Sequence, residues 1–337
     1  MAAIYDERPG RAERVKEKEM PQFKIQIRSF MFGFGKRKGF LPQITIYLLL
    51  VVFGFVYLFP LLYMISTSFM SFGDLLDNSI RWVPRVFSLD NYVRAFESLR
   101  FTEVIFDTFI IAFLASLFQM AIASITGYAF QRFNFAFKKV FFGILIATFI
   151  IPPQVLMPAT YQILLEFGLI GSMWSLFLPA LTGQGFRSAI LIMVFYQFYK
   201  QIPMSLDEAA QLDGAGPISI FAKIAIPSAG PAYIVSFVLS FVWYWNETFV
   251  TPIFLGTAHA AGGRAVSTLL LQLRRFDNTF GEIFNEHLSV LTGASTNLNE
   301  AVQMAATVIT ILPLLILYLV IQKQFVKGVD RSGITGE

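Results

Sequence analysis

Six long apolar runs, separated by polar segments, form the main pattern of this chain. The runs lie near residues 44–66, 106–130, 140–160, 175–198, 230–252 and 301–322. A helical segment needs about 20 residues to cross the hydrocarbon core of a bilayer, and each run meets or approaches that length. Lipid offers no water to satisfy backbone polar groups, so such spans form α-helices. The pattern therefore predicts an all-α polytopic membrane protein with six transmembrane helices.

Composition supports this class and excludes several others. Of the 337 residues, 55% are hydrophobic and only 14% are charged, whereas soluble domains average about 25% charged residues. The chain has no cysteine, which excludes disulfide and thiol chemistry. His259 and His287 are its two histidines, too few and too scattered to predict a metal site. No segment fits the Gly-x-x-x-x-Gly-Lys-Ser/Thr phosphate loop, so we expect no ATPase and no catalytic residue in this chain.

The distribution of Lys and Arg predicts the orientation. Placing both termini inside gives the inner segments more of these residues than the outer ones, and the N-terminal head supplies most of the excess. The head is highly charged, so we expect it to be largely without regular structure. The predicted organisation is a basic cytoplasmic head at 1–43, a transmembrane domain at 44–322 and a cytoplasmic tail at 323–337. The transmembrane domain includes one long cytoplasmic loop at 199–229 and two outer segments at 67–105 and 253–300.

The loop at 199–229 carries signals for two short helices joined by a bend. Ser205-Leu-Asp-Glu208 fits a capping box, with Ser205 at the N-cap and Glu208 three residues later. Asp207 and Glu208 would then lie at the positive end of the helix dipole. Gly214 suits the left-handed conformation that ends a helix. Pro217 suits the first turn of a second helix.

Three apolar residues of the second helix, Ile220, Phe221 and Ile224, share one face at helical spacing. An apolar ridge exposed to water usually marks an interaction site. The alternative is that the ridge packs on the ends of this protein's own helices. The residues alone leave both readings open.

The same loop has a longer pattern, in which Glu208-Ala-Ala is followed by Gly214 and then by Ile224-Ala-Ile-Pro227. This spacing resembles the EAA loop of ABC importer permeases, with Ile226 where Leu is usual. In that family the element is a coupling helix that docks on the ATPase subunit. The resemblance implies coupling roles for nine residues: Ser205, Glu208, Ala209, Ala210, Asp213, Gly214, Phe221, Ile224 and Pro227.

Four further motifs follow in the order expected for this family. Gly127-Tyr-Ala-Phe-Gln-Arg-Phe133 is similar to the Tyr-Ala-x-x-Arg-Phe segment that ends the second span. Ile151-Pro-Pro-Gln-Val155, with Pro158 and Tyr161, is similar to the family's Pro-x-Gln segment. Trp245-Asn246 and Phe325-Val-Lys-Gly-Val329 resemble features of the carbohydrate importers, the latter the tail of the maltose-permease G-type subunits. Together they favour a carbohydrate permease.

The resemblance implies the type I ABC importer permease fold, a five-helix core with an additional first helix. It implies import of a sugar or oligosaccharide by alternating access across a bacterial or archaeal cytoplasmic membrane. The implied partners are a second permease, two ATP-binding subunits, an extracytoplasmic solute-binding protein and the lipid bilayer, with no nucleic acid. ATP and Mg²⁺ would be bound by the ATPase subunits, and this chain would hold no cofactor.

Polar residues within the spans are candidates for the substrate path: Gln119, Gln184, Arg187, Tyr244, Asn246 and Glu247. A charge at mid-membrane costs about 2.5–3.5 kcal/mol on insertion scales, so Arg187 requires an explanation. It lies in Gly183-Gln-Gly-Phe-Arg-Ser188, a polar break within the fourth span, and broken helices are tolerated at membrane depth where they line a cavity. Either Arg187 and Gln184 face the path and help attract a substrate such as an acidic sugar, or the apolar run begins after Ser188 and Arg187 lies near the outer surface. The alternatives for the others are an interhelical hydrogen bond for Gln119 and an interfacial aromatic belt around Tyr244.

Three other functions stay open at this point. The chain is an ABC permease for another solute, a secondary transporter driven by an ion gradient, or a membrane scaffold that binds a protein through the 205–227 loop. A secondary transporter predicts buried carboxylates or an internal repeat at the midplane, and neither stands out. Polar groups within several spans argue against a scaffold.

Overall fold

The computed structural model describes residues 33–34, 37–38, 40–77, 79–80, 82–256, 266–285 and 300–332, with side chains from residue 40 to residue 323 except Asn285. Most of the predicted head, His259 and His287, much of the outer segment 253–300 and the end of the tail therefore lie outside the described residues.

The chain divides into two compact units, Met1–Ile65 and Ser66–Glu337. In the first, strands β1 (Gly33–Phe34) and β2 (Arg37–Lys38) pair antiparallel, with Gly33 opposite Lys38. This small hairpin lies in the head, for which the sequence predicted little regular structure. The first unit also contains most of helix α1 (Phe40–Ser68).

The described part of the second unit is helical, which confirms the all-α prediction. Its helices are α2 (Phe72–Leu76), α3 (Asp90–Ser98), α4 (Phe101–Arg132), α5 (Lys138–Ile150), α6 (Pro153–Glu166), α7 (Trp174–Leu181), α8 (Ser188–Gln201), α9 (Met204–Leu212), α10 (Pro217–Ile220), α11 (Ile226–Ser228), α12 (Gly230–Trp245), α13 (Val250–Leu255), α14 (Leu269–Arg274), α15 (Phe276–Phe280) and α16 (Glu300–Ser332). Two π-helical segments, Phe221–Ala225 and Gly281–Asn285, complete them.

Helix α4 is the centre of the bundle and packs against α7, α8 and α12. Small buried residues such as Ala115, Ala123 and Gly127 recur along it, and small residues let helix backbones approach closely in membranes. A Cβ added at Gly127 would lie 2.8 Å from the Cβ of Phe195 on α8. The glycine therefore permits the close contact between α4 and α8.

Proline-containing bends break one predicted span and separate the loop from the start of another. The run at 140–160 divides into α5 and α6, which meet at an angle of 103°, so the prediction of one straight helix there was wrong. The cause lies at Pro152 and Pro153, because proline disfavours helical conformation in the preceding residue. The helical segment from Pro217 to Ser228 similarly meets α12 at 77°.

The run at 175–198 is also broken, between Leu181 at the end of α7 and Ser188 at the start of α8. Gly183 and Arg187 have left-handed backbones, with φ of +76° and 56°. The predicted fifth span, 230–252, ends early at Trp245. By length and composition the described residues contain three membrane-crossing helices, or up to five if each bent pair is one span. The number six and the orientation of the termini stay predictions.

Candidate coupling loop and membrane break

The first helix of the loop, α9, begins at Met204, with Pro203 at the N-cap position. Ser205 is inside the first turn and makes no capping hydrogen bond, so the predicted capping box was wrong. Pro203 has an extended backbone (ψ 134°), so the chain enters the helix at Met204 and Ser205 is already inside it. Ser205 and Glu208 are exposed on the surface of the loop.

The end of α9 confirms the predicted left-handed glycine. Gly214 has a φ of +82°, and its N–H donates to the carbonyl of Gln211 at 3.0 Å. The N–H of Ala215 donates to the carbonyl of Ala210 at 2.9 Å. These two bonds form a Schellman motif, which satisfies carbonyls left free at a helix end. The bend between the two loop helices is thus fixed by backbone geometry.

Pro217 occupies the first turn of α10, as predicted. The apolar ridge, in contrast, packs mainly on the chain itself. Ile220 is 2% exposed, and the ring of Phe221 lies 4.8 Å from that of Tyr128 on α4. Ile224 is half-buried. The structure therefore favours the second of the two readings for this ridge, in which it anchors the loop to the bundle.

A different apolar set is exposed. We define the loop surface as Met204, Leu206, Leu212 and Ile218, which are 48%, 48%, 90% and 84% exposed. The remaining predicted coupling residues lie around it: Glu208, Ala209, Asp213, Gly214 and Pro227 are exposed, and Ala210 is half-buried. Contiguous exposed apolar side chains on a polar loop are typical of an interaction site.

One connection was missed in the sequence. Arg132, at the end of α4, pairs with Asp207 of α9 at 2.9 Å between Nε and Oδ2. Its Nη2 also donates to the carbonyl of Ile202 at 2.9 Å. Arg132 belongs to the Tyr-Ala-x-x-Arg-Phe motif and Asp207 immediately precedes the Glu208 of the EAA pattern. Two motifs that are far apart in the sequence therefore meet in one buried ion pair.

The break between α7 and α8 is held by two predicted path residues. Gln119 of α4 is 1% exposed, and its Nε2 donates to the carbonyl of Phe186 at 2.6 Å. Tyr244 of α12 is 4% exposed, and its hydroxyl would lie 2.6 Å from a Cβ added at Gly185. Both side chains are packed inside the bundle, so in this conformation they support the break and do not line an open path.

Gln184 and Arg187 lie on the other side of the break and are exposed. The guanidinium carbon of Arg187 is 5.3 Å from the centroid of the Trp243 ring, a cation–π arrangement. Helix α8 begins only after this residue, with Arg187 at its N-cap position. The break thus turns a polar face, which includes one positive charge, away from the packed core of the chain.

Asn246 and Glu247 have local structural roles. The Nδ2 of Asn246, an exposed residue, donates to the carbonyl of Val242 at 2.9 Å. The carboxylate of Glu247 accepts hydrogen bonds from the N–H groups of Phe249, Val250 and Thr251 at 2.9, 2.9 and 2.6 Å. Glu247 therefore caps the start of α13. In the described ranges no cluster of three or more His, Cys, Asp or Glu has the proximity to hold a metal ion.

The chain thus has a loop that presents an apolar surface and is anchored to a bundle with a broken span. The family model described as the binding-protein-dependent transport system inner membrane component matches residues 119–331. The chain belongs to this family. The family match covers the coupling loop, the break and the last long helix of this permease.

Individual relatives match nearly the whole permease. It is 25% identical over 303 residues to the polygalacturonan/rhamnogalacturonan transport system permease protein YtcP of Bacillus subtilis, covering 89% of this chain and 100% of that protein. It is 25% identical over 279 residues to the sulfoquinovosyl glycerol transport system permease protein SmoH of Agrobacterium fabrum, covering 83% and 89%.

A solved structure, of a bacterial ABC transporter involved in the import of the acidic polysaccharide alginate, has the same fold. The TM-score is 0.69 at 24% identity, covering 87% of this chain and 99% of that chain. The predicted ABC importer permease fold is therefore confirmed. The permease is a membrane-embedded transport component and not an enzyme, and its family assignment removes the secondary transporter and the scaffold.

Proposed function

We propose that this permease moves a sugar or oligosaccharide inward across the cytoplasmic membrane of a bacterium or archaeon. Its relatives YtcP and SmoH are named for transport of saccharides or a glycosyl glycerol. The motifs Trp245-Asn246 and Phe325-Val-Lys-Gly-Val329 favour the same class of substrate. A second permease and an extracytoplasmic solute-binding protein complete the membrane and outer parts of the assembly.

The observation that carries the proposal is the loop surface on a bend fixed by Gly214. Leu212 and Ile218 are 90% and 84% exposed, on a loop that Phe221 anchors to Tyr128 of α4. An ATPase subunit with an apolar groove buries these side chains. ATP and Mg²⁺ are bound by two such subunits, on the cytoplasmic side, and the nine predicted coupling residues lie in or beside the contact.

Movement of the loop reaches the membrane through α4. Arg132 and Tyr128 hold α9 and the π-helical segment at one end of this helix, and Gln119 holds the break further along it. Closure of the ATPase dimer displaces the loop, and α4 transmits the displacement to the break. The cavity then alternates between outward and inward access.

Co-purification with single substitutions tests the docking site. We expect Leu212→Asp and Ile218→Asp to remove the ATPase subunits from the purified complex, because a carboxylate in an apolar groove is desolvated without a partner. The second permease should remain. Gln201→Asp, at an exposed position outside the loop surface, is the matched control and should retain both. Full retention of ATPase and of ATP-driven uptake in both loop variants would refute the proposed docking site.

A further inference from the structure

Arg187 combines a strained backbone with an exposed positive charge. Its φ of 56° is left-handed, a conformation that non-glycine residues rarely adopt. Its side chain is exposed and its guanidinium lies over Trp243 at 5.3 Å. Within the part of the chain that the structure describes, it forms no ion pair. Strain of this kind is concentrated at functional sites in proteins.

The lengths of three helices give the distance of Arg187 from the loop end of the bundle. Helix α8 has 14 residues between the break and the loop, a length of about 20 Å. On α4, Gln119 bonds to Phe186 at the break, and Arg132 bonds to Ile202 at the other end of α8. The rise along α4 between Gln119 and Arg132 is also about 20 Å. On α12, Trp243 lies about 20 Å from the first residue of the helix. The three lengths agree.

This depth places the charge inside the membrane. The hydrocarbon core is about 30 Å thick, so a residue about 20 Å from the loop end of the bundle lies within it, about 10 Å from the opposite surface. The alternative of a position near the outer surface is therefore disfavoured. A guanidinium that faced lipid here would be strongly unfavourable, and intramembrane charges almost always face a bundle interior or a watery cavity.

The surroundings of Arg187 fit one ligand chemistry. Thr182 and Gln184, on the same break, are also exposed, so the face around the charge is polar. Arginine binds carboxylate and related oxyanions with paired, charge-assisted hydrogen bonds. The ring of Trp243 offers an apolar face of the kind that sugar rings pack against. Glu247, which follows Trp243 closely in the chain, is already engaged by three backbone N–H groups.

We propose that Arg187 binds the anionic group of an acidic saccharide inside the translocation path, so that the substrate class is a negatively charged sugar. This inference rests on the proposed import function and adds the charge of the substrate. Gln184 hydrogen-bonds the hydroxyl groups of the same sugar, and Trp243 holds Arg187 in place between transport cycles.

The complete importer, with both permeases, the ATPases and the binding protein, is reconstituted in vesicles for the test. Uptake is measured for a panel of uronate and sulfonate saccharides, each paired with a neutral methyl ester or desulfonated counterpart. We expect the importer to prefer the charged members. Arg187→Gln should lower their uptake at least tenfold and leave that of any neutral member unchanged, and Arg187→Lys should retain an intermediate rate.

The outcomes separate this inference from the function on which it rests. Preference for neutral sugars, or an equal loss for charged and neutral sugars in Arg187→Gln, overturns the anionic assignment and leaves sugar import intact. Loss of the second permease from purified Arg187→Gln complexes would assign the residue to the subunit interface and also overturn it. Absence of uptake for every saccharide in the wild-type importer would contradict sugar import itself.

Discussion

Arg132 and Asp207 form an ion pair, 2.9 Å between Nε and Oδ2, that ties the end of α4 to the coupling loop. The two side chains are only 5% and 7% exposed. Removing one partner of a buried pair costs about 3–5 kcal/mol, because the other charge is left without compensation. The pair therefore fixes the orientation of α9 relative to the membrane bundle.

We expect Asp207→Asn to lower the melting temperature of the purified permease complex and to reduce substrate-stimulated ATP hydrolysis about tenfold or more, since Arg132 keeps a buried charge with no carboxylate beside it. Stimulation is measured as the ratio of ATPase rates with and without loaded binding protein, a quantity that a change in expression does not alter.

A double substitution, Arg132→Met with Asp207→Leu, provides the control. Apolar replacement of a buried pair is often neutral for stability, so the melting temperature should recover. If Asp207→Asn alone has wild-type stability and wild-type stimulation, the pair does not position the loop.

Gly214→Val should weaken coupling through the backbone alone. No atom lies within 4 Å of the position that a Cβ would take at this residue, so the substitution creates no clash. A left-handed backbone costs a branched residue about 1–2 kcal/mol, and the bend between α9 and α10 should relax. ATPase co-purification and uptake should both fall, and Gly214→Asn should largely preserve them because Asn tolerates this conformation. Equal behaviour of the two variants would show that the bend is not required.

Gly127→Ala should destabilise the packing of α4 on α8. The new Cβ would lie 2.8 Å from the Cβ of Phe195 and 2.9 Å from the carbonyl oxygen of Ile192. Overpacking of this kind costs about 1–3 kcal/mol, which thermal unfolding in detergent would detect. Gly143→Ala in α5 is the control, since it meets no atom within 4 Å. A wild-type melting temperature for Gly127→Ala would mean that the two helices can separate freely.

Glu247→Ala should destabilise the end of the bundle opposite the loop without altering substrate preference. Three backbone N–H groups at the start of α13 lose their acceptor, which typically costs about 1 kcal/mol or more. Glu247→Gln keeps an acceptor oxygen and should lose less stability. Uptake of the charged and neutral sugars in each variant provides the measurement. A change in the ratio of charged to neutral sugar uptake, at unchanged stability, would show that Glu247 lines the substrate path.

Local chemistry determined much that the sequence could predict. The long apolar runs located α1, α4 and α16 because a span needs many consecutive apolar residues. Gly214 was predicted because a short polar helix followed by glycine has few other ways to end. Pro217 was placed in a first helical turn because its fixed backbone angle suits that position. Each of these features depends on neighbours within a few residues.

Features that depend on distant neighbours were not predictable. Arg132 was identified as part of the Tyr-Ala-x-x-Arg-Phe motif, but its pairing with Asp207 was not predicted, because nothing near it in the sequence indicates that partner. The polar break between α7 and α8 could be predicted from its own residues, but its contacts with Gln119 and Tyr244 could not, because both lie far away in the sequence. The residues alone could not distinguish the exposed face of the loop from the anchored one, because helical spacing identifies a face but not its partner.

The short helices around the break bear on how this protein is made. Helices α7 and α8 have 8 and 14 residues, and neither alone reaches across a bilayer of about 30 Å. The carbonyl of Phe186 finds its donor on α4, which leaves the ribosome first, whereas Tyr244 on α12 emerges only after the loop has been synthesised. Insertion of this region cannot be completed helix by helix. Arg187 finds the ring of Trp243 only after α12 has been synthesised, so the break and its charge depend on a helix that is made later.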